Sequence, residues 1–206
     1  MPDRLNISPT RGNLLKLKGE FEQVQNGHNL LDRKRRVLMR ELFSLISDAE
    51  EIEEKSRIQF QEAYQALNLA RMALGVDRLR WISMAPSADI KVNIGSKSIM
   101  GVKTALVSLD IEELLLPYSP GNTDVPLDKA HSEWLDVIHI LGELVEKTVT
   151  VWRLATELRK TQRQVNALEE IIIPRYQRTI KYISEVLDEN EREEIINAKL
   201  VKEHNQ

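Results

Sequence analysis

The sequence predicts a mainly α protein: a long antiparallel two-helix coiled coil, built from the N- and C-terminal helices, with a small central α/β foot containing a β-hairpin. Three observations carry this expectation. Apolar residues recur at alternating spacings of three and four through both terminal thirds, the mark of a helix–helix seam. Helix-breaking residues cluster in the middle, where four of the seven prolines and four of the eight glycines fall between residues 75 and 126. Within that stretch β-branched residues alternate with polar ones, which is strand periodicity.

Composition sets the outer bounds. The 206 residues are 30% charged and only 5% aromatic, with a formal net charge of −3. That balance favours long solvated helices over a thick globular core and argues against a general nucleic-acid binder. The absence of cysteine excludes disulfides and thiolate metal sites and fits a reducing cytoplasm. No apolar run approaches about 18 residues, and the opening MPDRLNISPTRGNLLK lacks a signal-peptide pattern. The expectation is a soluble protein, or one peripheral to a membrane, in which the sequon-like Asn6-Ile7-Ser8 is chance.

Residues 1–81 form the first expected element. Ser8-Pro9-Thr10 supplies a helix start, with Ser8 as cap and Pro9 in the first turn. From there one heptad set holds Leu14, Phe21, His28, Arg35, Leu42 and Ala49, and its partner set holds Leu17, Val24, Leu31, Leu38, Leu45 and Ile52. The seam continues through Ser56, Gln59, Ala63, Ala66, Ala70 and Ala73, small residues that allow close helix approach. No proline interrupts it between Pro9 and Pro86.

Residues 82–127 are the expected foot. Ile90, Val92 and Ile94 alternate, the chain passes through Gly95-Ser96-Lys97-Ser98, and a second apolar run follows, including Met100 and Val102. This reads as a hairpin or strand pair. LLLPYSPGNTDVP is a turn-rich loop into the last element.

Residues 128–206 repeat the heptads. Trp134, Leu141, Thr148, Ala155, Gln162, Glu169, Tyr176 and Ile183 form one set; Val137, Leu144, Val151, Leu158, Val165, Ile172, Thr179 and Val186 form the other. Pro174 lies inside this pattern. An interior proline removes one hydrogen bond and clashes one turn back, at a cost of about 3 kcal/mol, so a local bend is expected there. Two such helices, each on the order of 100 Å long at 1.5 Å per residue, are expected to fold back on each other as a rod.

Three segments in this order resemble one family. SPTRGNLLKLKGEF with GHNLLDRKRRVLMREL, then SIMGVK, then LATELRKTQRQVNALEEIIIPRYQRTIKYISEVLDENEREE are similar to the D subunit of the V-type and A-type rotary ATPases, a component of the central stalk. The resemblance covers nearly the whole chain. It implies a rotor shaft that enters a hexamer of catalytic and regulatory subunits, with a foot binding the small F subunit of the stalk and resting on the funnel-shaped subunit above the membrane ring. It further implies torque transmission between ATP hydrolysis or synthesis and ion translocation, a place on the cytoplasmic side of a membrane, and no catalytic residue, cofactor or metal. GSKS at 95–98 lacks the first glycine and following helix of a phosphate-binding loop.

The basic cluster Arg33-Lys34-Arg35-Arg36 reads either as a solvated helix face or as a surface for acidic loops of the ring; nucleic acid is disfavoured because no aromatics are interleaved. A second basic set contains Arg153, Arg159, Lys160, Arg163, Arg175, Arg178 and Lys181. Arg35, Arg159, Lys160 and Arg163 are the stator-facing candidates, Pro174 the bend, and Ile90, Val92, Ile94, Met100 and Val102 the hairpin element that influences hydrolysis. His28 is read as structural, Trp81, Trp134 and Trp152 as packing residues, and DENEREE as a solvated helix end. Asp128/His131 and Asp136/His139 have one-turn spacing suited to metal, but no matching inward carboxylate set accompanies them. A generic coiled-coil tether or adaptor is the alternative function, and it leaves the three ordered segments without explanation.

Overall fold

The computed structural model describes residues 4–84, 90–111 and 124–204. Pro86 and most of the turn-rich loop after residue 113 lie outside the described residues. The architecture is mainly helical: α1 (Arg11–Leu74), α2 (Val76–Ile82), strands β1 (Ile90–Ile99) and β2 (Val102–Ile111), α3 (Val125–Ala167), a π turn (Leu168–Ile172) and α4 (Ile173–His204). The chain divides into two compact units, residues 1–37 with 158–206 and residues 38–157.

In the first unit, α1 starts two residues later than the Ser8-Pro9 pattern suggests. Thr10 is the cap: its hydroxyl accepts the Asn13 N–H at 3.2 Å and its carbonyl the Leu14 N–H at 2.9 Å. Thr10 thus takes the capping place that the Ser8-Pro9 pair offers in the sequence. Ser8 instead offers its carbonyl to the Asn13 side-chain amide at 2.8 Å. The core of this unit is Leu17, Val165 and Ile183, with the hydroxyls Thr161 and Thr179 buried among them. Thr179 donates to the Arg175 carbonyl at 2.8 Å and accepts the Leu5 N–H at 3.0 Å, which explains a polar group at a buried position. Phe21 stacks on Tyr176 with ring centroids 6.5 Å apart.

In the second unit, α1 ends at Leu74 and Gly75, at φ 82°, turns the chain into α2. That left-handed backbone favours glycine. The helical stretch expected over residues 1–81 is therefore broken once, by a residue whose missing side chain permits the break. Ala66, Ala70, Leu127 and Ala130 form a buried cluster, flanked by Leu74, Leu79 and Ile82. Facing pairs run in opposite directions along the two helices: Asp48 meets Lys147 at 3.2 Å and Gln59 meets Glu133 at 2.7 Å. At the start of α3, the Asp124 carbonyl receives the Leu127 N–H at 2.8 Å, and Pro126 in the first turn gives up no intrahelical bond.

The strands form a two-stranded antiparallel sheet in unbroken register from Ile90↔Ile111 to Ile99↔Val102. Its turn is Met100-Gly101, not Gly95-Ser96-Lys97-Ser98, which lies within β1. Both turn residues have positive φ, 50° and 80°, the left-handed geometry that matches strand twist in a two-residue hairpin.

Seam residues in α1 are buried or half-buried from Leu14 through Ala70 at most positions; Ala73 is exposed, and Leu74 takes its place. The second seam departs further. Thr148 and Glu169 are exposed, while Leu154 and Thr161, outside the heptad sets, are almost fully buried. An α-helix drifts about 20° per heptad, so the partners of Val151, Leu158 and Val165 shift from three residues before them to three after. The π turn adds a further residue per turn, and the buried face passes on to Tyr176 and Ile183.

Candidate functional site

The basic residues divide by what already holds them. Arg159, Lys160 and Arg163 belong to the first unit, where all three side chains are exposed. Arg35 is more committed: its side chain is 27% exposed, one guanidinium nitrogen lies 2.6 Å from Asp32 and another donates to Gln162 at 3.2 Å. Asp32 also holds Arg36 at 3.3 Å. The Arg33–Arg36 cluster thus carries its own counter-ion, and its seam member is tied to the facing helix segment. In the second unit Arg153 belongs to a different assembly, since it donates to the Lys103 carbonyl of β2 at 2.8 Å.

That contact is one of those fastening the hairpin to α3. The Val107 N–H donates to the Glu146 carboxylate at 3.0 Å. Leu109 reaches so close to Gly142 that a Cβ there would lie 2.6 Å from Leu109 Cδ1. Along α3 the points climb from 142 through 146 to 153, while along β2 they descend from 109 through 107 to 103; strand and helix run antiparallel, face to face. Within the hairpin, buried Thr104 donates its hydroxyl to the Lys97 carbonyl at 3.0 Å. With β2 held against the helix, β1 faces outward. Ile90, Val92 and Ile94 are exposed, Ile94 by 76%, and Met100 protrudes from the turn beside half-buried Val102. Sequence reading finds the strand but not its fastening: one glycine, one glutamate and one arginine on a charged helix carry no local signal for a strand about 40 residues away in the chain.

Pro174 sits second in α4, immediately after the π turn. The Ile173 N–H bonds to the Leu168 carbonyl five residues back, a widened turn that draws the chain away from the carbonyl the proline ring otherwise strikes. The turn leaves Glu169, Glu170 and Ile171 exposed. Glu169 lies 3.9 Å from His28 Nε2, beyond hydrogen-bond reach, and that buried nitrogen has no hydrogen-bond partner among the described residues. One helical turn on, Tyr176 contacts Glu20 at 3.3 Å. Burial pushes its phenol above the ordinary value, and the Glu20 charge and hydrogen bond add to the shift.

Of the three tryptophans, only Trp134 packs as expected, its ring edge-on to Tyr64 and Phe60 at 5.2 and 6.1 Å. Trp81 and Trp152 are 75% and 69% exposed. The helical phase decides this: α2 turns Leu79 and Ile82 inward, and α3 turns Leu154. Among the described residues no three His, Asp or Glu side chains converge as metal ligands, and no helix is long and apolar enough to cross a membrane.

Long helices paired through small and apolar residues, a hairpin fastened to one of them and a set of exposed cations define a mainly helical protein with a small β-hairpin. The profile of the family described as the ATP synthase D subunit matches residues 13–203. The V-type ATP synthase D subunit of Thermotoga neapolitana is 36% identical over 199 residues, covering 97% of this chain and 98% of its own. The A-type ATP synthase D subunit of Methanopyrus kandleri is 38% identical over 200 residues, 96% and 86% of the two chains, and that of Pyrococcus furiosus 35% over 207 residues, 98% and 96%. The chain belongs to the family of ATP synthase D subunits. It is accordingly a non-catalytic, central-stalk component of a V/A-type ATPase.

Proposed function

We propose that this chain is the rotor shaft, transmitting torque between ATP hydrolysis or synthesis in a catalytic hexamer and ion translocation in a membrane ring, with no nucleotide site of its own. The observation that carries the reading is a family match spanning residues 13–203, which takes in both long helical segments and the hairpin. Functionally the chain divides into residues 1–81, 82–127 and 128–206, and the helices of each unit pair as an antiparallel coiled coil. Seam burial and the opposed pairs Asp48–Lys147 and Gln59–Glu133 support that pairing. A torque-bearing element gains stiffness from continuous backbone hydrogen bonding and a packed seam.

Contacts between shaft and ring have to be oriented yet reversible. Exposed ion pairs, each worth about 0–1 kcal/mol, meet that need better than a broad apolar patch. Arg159, Lys160 and Arg163 supply such charges toward the catalytic and regulatory subunits, and Arg35 enters the surface with its guanidinium partly committed to Asp32 and Gln162. The π turn before Pro174 bends the shaft, so that rotation presents unequal faces to successive catalytic sites. The hairpin side meets the small F subunit of the stalk and the funnel-shaped subunit, and Ile90 to Val107 influences hydrolysis. The chain works as a peripheral component on the cytoplasmic side of the membrane.

The sequence has no cysteine, so Lys97→Cys on β1 creates a unique attachment point on this chain. A bead fixed there on the immobilised ATPase complex, its other accessible cysteines removed, rotates under ATP in this reading. A bead that stays still while the same complexes hydrolyse ATP sinks it.

A further inference from the structure

Within the first unit, α1 and α4 leave an open groove of about 490 Å³ between them. Its apolar lining is Phe21, half-buried and stacked on Tyr176, and Ile180 from the facing helix. Two ammonium groups, Lys18 and Lys181, stand at its sides, with Ser184 and Glu185 beyond. Lys181 is 3.8 Å from Glu185 in an exposed pair; Lys18 has no ion-pair partner among the described residues. The lining is therefore net positive around an apolar floor. Its volume falls within the range of about 300–1,000 Å³ typical of ligand pockets, but the groove is open to one side and would leave much of a small molecule uncovered. A protein segment that covers the opening while placing one side chain on the floor fits it better.

We infer that this groove seats one apolar side chain of a surrounding ATPase subunit, flanked in sequence by an Asp or Glu that pairs with Lys18 and Lys181. The inference rests on the shaft reading above and adds a defined seat to the general basic surface. Phe21 and Ile180 supply the apolar contact, and the two lysines set the sign of the partner's neighbouring charge. The seat lies apart in sequence from Arg159, Lys160 and Arg163, so the two surfaces can be probed separately.

The test uses the purified, assembled ATPase with a photocrosslinking benzoylphenylalanine in place of Ser184, and a second preparation with it in place of Arg163. The expected result is a crosslink from position 184 to a subunit segment in which Leu, Ile, Met or Phe adjoins Asp or Glu. Adding Lys18→Glu and Lys181→Glu lowers the yield at 184 about tenfold, the loss of two exposed ion pairs, and leaves the yield at 163 unchanged. A crosslink from 163 to the catalytic hexamer with none from 184, one to a segment without acidic residues, or one indifferent to the charge reversal overturns the groove inference while the shaft reading stands. No crosslink to the hexamer from either position overturns both.

Discussion

Replacing Gly142 by alanine tests the fastening of the hairpin. In an exposed helix the change is favourable by about 1 kcal/mol, because alanine loses less backbone entropy. Here the new Cβ falls 2.6 Å from Leu109 Cδ1 and 3.1 Å from Cγ. The leucine has to leave its rotamer, at about 0.5–1.5 kcal/mol, or the strand has to lift, at the roughly 1–3 kcal/mol usual for an overpacked contact. The two effects nearly cancel in unfolding stability, so Gly142→Ala alone leaves it within about 1 kcal/mol of the parent, on the unfavourable side. Leu109→Ala removes both clashing atoms. In that background Gly142→Ala recovers the full helix gain, and the cycle shows a coupling of about 2 kcal/mol. Urea unfolding of all four chains reads the stability to which the helix gain and the clash both contribute. Additivity to within about 0.3–0.5 kcal/mol means that Leu109 and Gly142 do not share a contact, and the account of how β2 is held is then wrong.

Four other outcomes follow from the same geometry. Glu146→Gln weakens a charge-assisted bond to the Val107 N–H and raises exchange at that amide several-fold, a loss of about 1 kcal/mol; unchanged protection removes Glu146 from the fastening. Pro174→Ala restores an N–H and deletes the ring clash, so the π turn converts to α and the helix gains up to about 3 kcal/mol; a π turn persisting in the variant's crystal structure assigns it to seam packing instead. Tyr176 has a raised folded-state pKa, so its contribution is present below the unfolded value near about 10 and is lost as pH climbs through the folded value. Tyr176→Phe therefore flattens the alkaline fall in stability above about pH 10, measurable by urea unfolding across that window; parallel curves for the two proteins contradict the shift. Arg159→Glu with Arg163→Glu weakens attachment to the catalytic hexamer about tenfold if each exposed pair contributes up to about 1 kcal/mol, whereas equal recovery of the hexamer with the variant counts against a stator-facing role.

Much of this molecule is legible in one dimension because helix and strand periods are local properties. The seam from Leu14 to Ala70 follows from spacing alone, since a residue's face on a helix is fixed by its number. The β-branched alternation at Ile90, Val92 and Ile94 marks a strand by the same reasoning, and three ordered segments carry the family resemblance. What spacing leaves open are outcomes of competition between distant parts. Thr10 rather than Ser8 caps α1, and the Ser8 carbonyl is held by the Asn13 side chain instead. Met100-Gly101 rather than the glycine–serine stretch makes the turn because β2 finds its register against both β1 and α3. Leu154 and Thr161 displace the heptad's own choices because helical drift accumulates along a packed face, and the π turn before Pro174 changes the face again. Local spacing was enough to place the helices and strands, and the resemblance of three ordered segments pointed to the family. Which charges remain available was settled by packing: Arg35 and Arg153 look like Lys160 and Arg163 in the sequence, yet the first pair is engaged within the chain and the second projects from it. A side chain's partner across the fold depends on contacts over long sequence separations, and periodicity along one element carries no record of them.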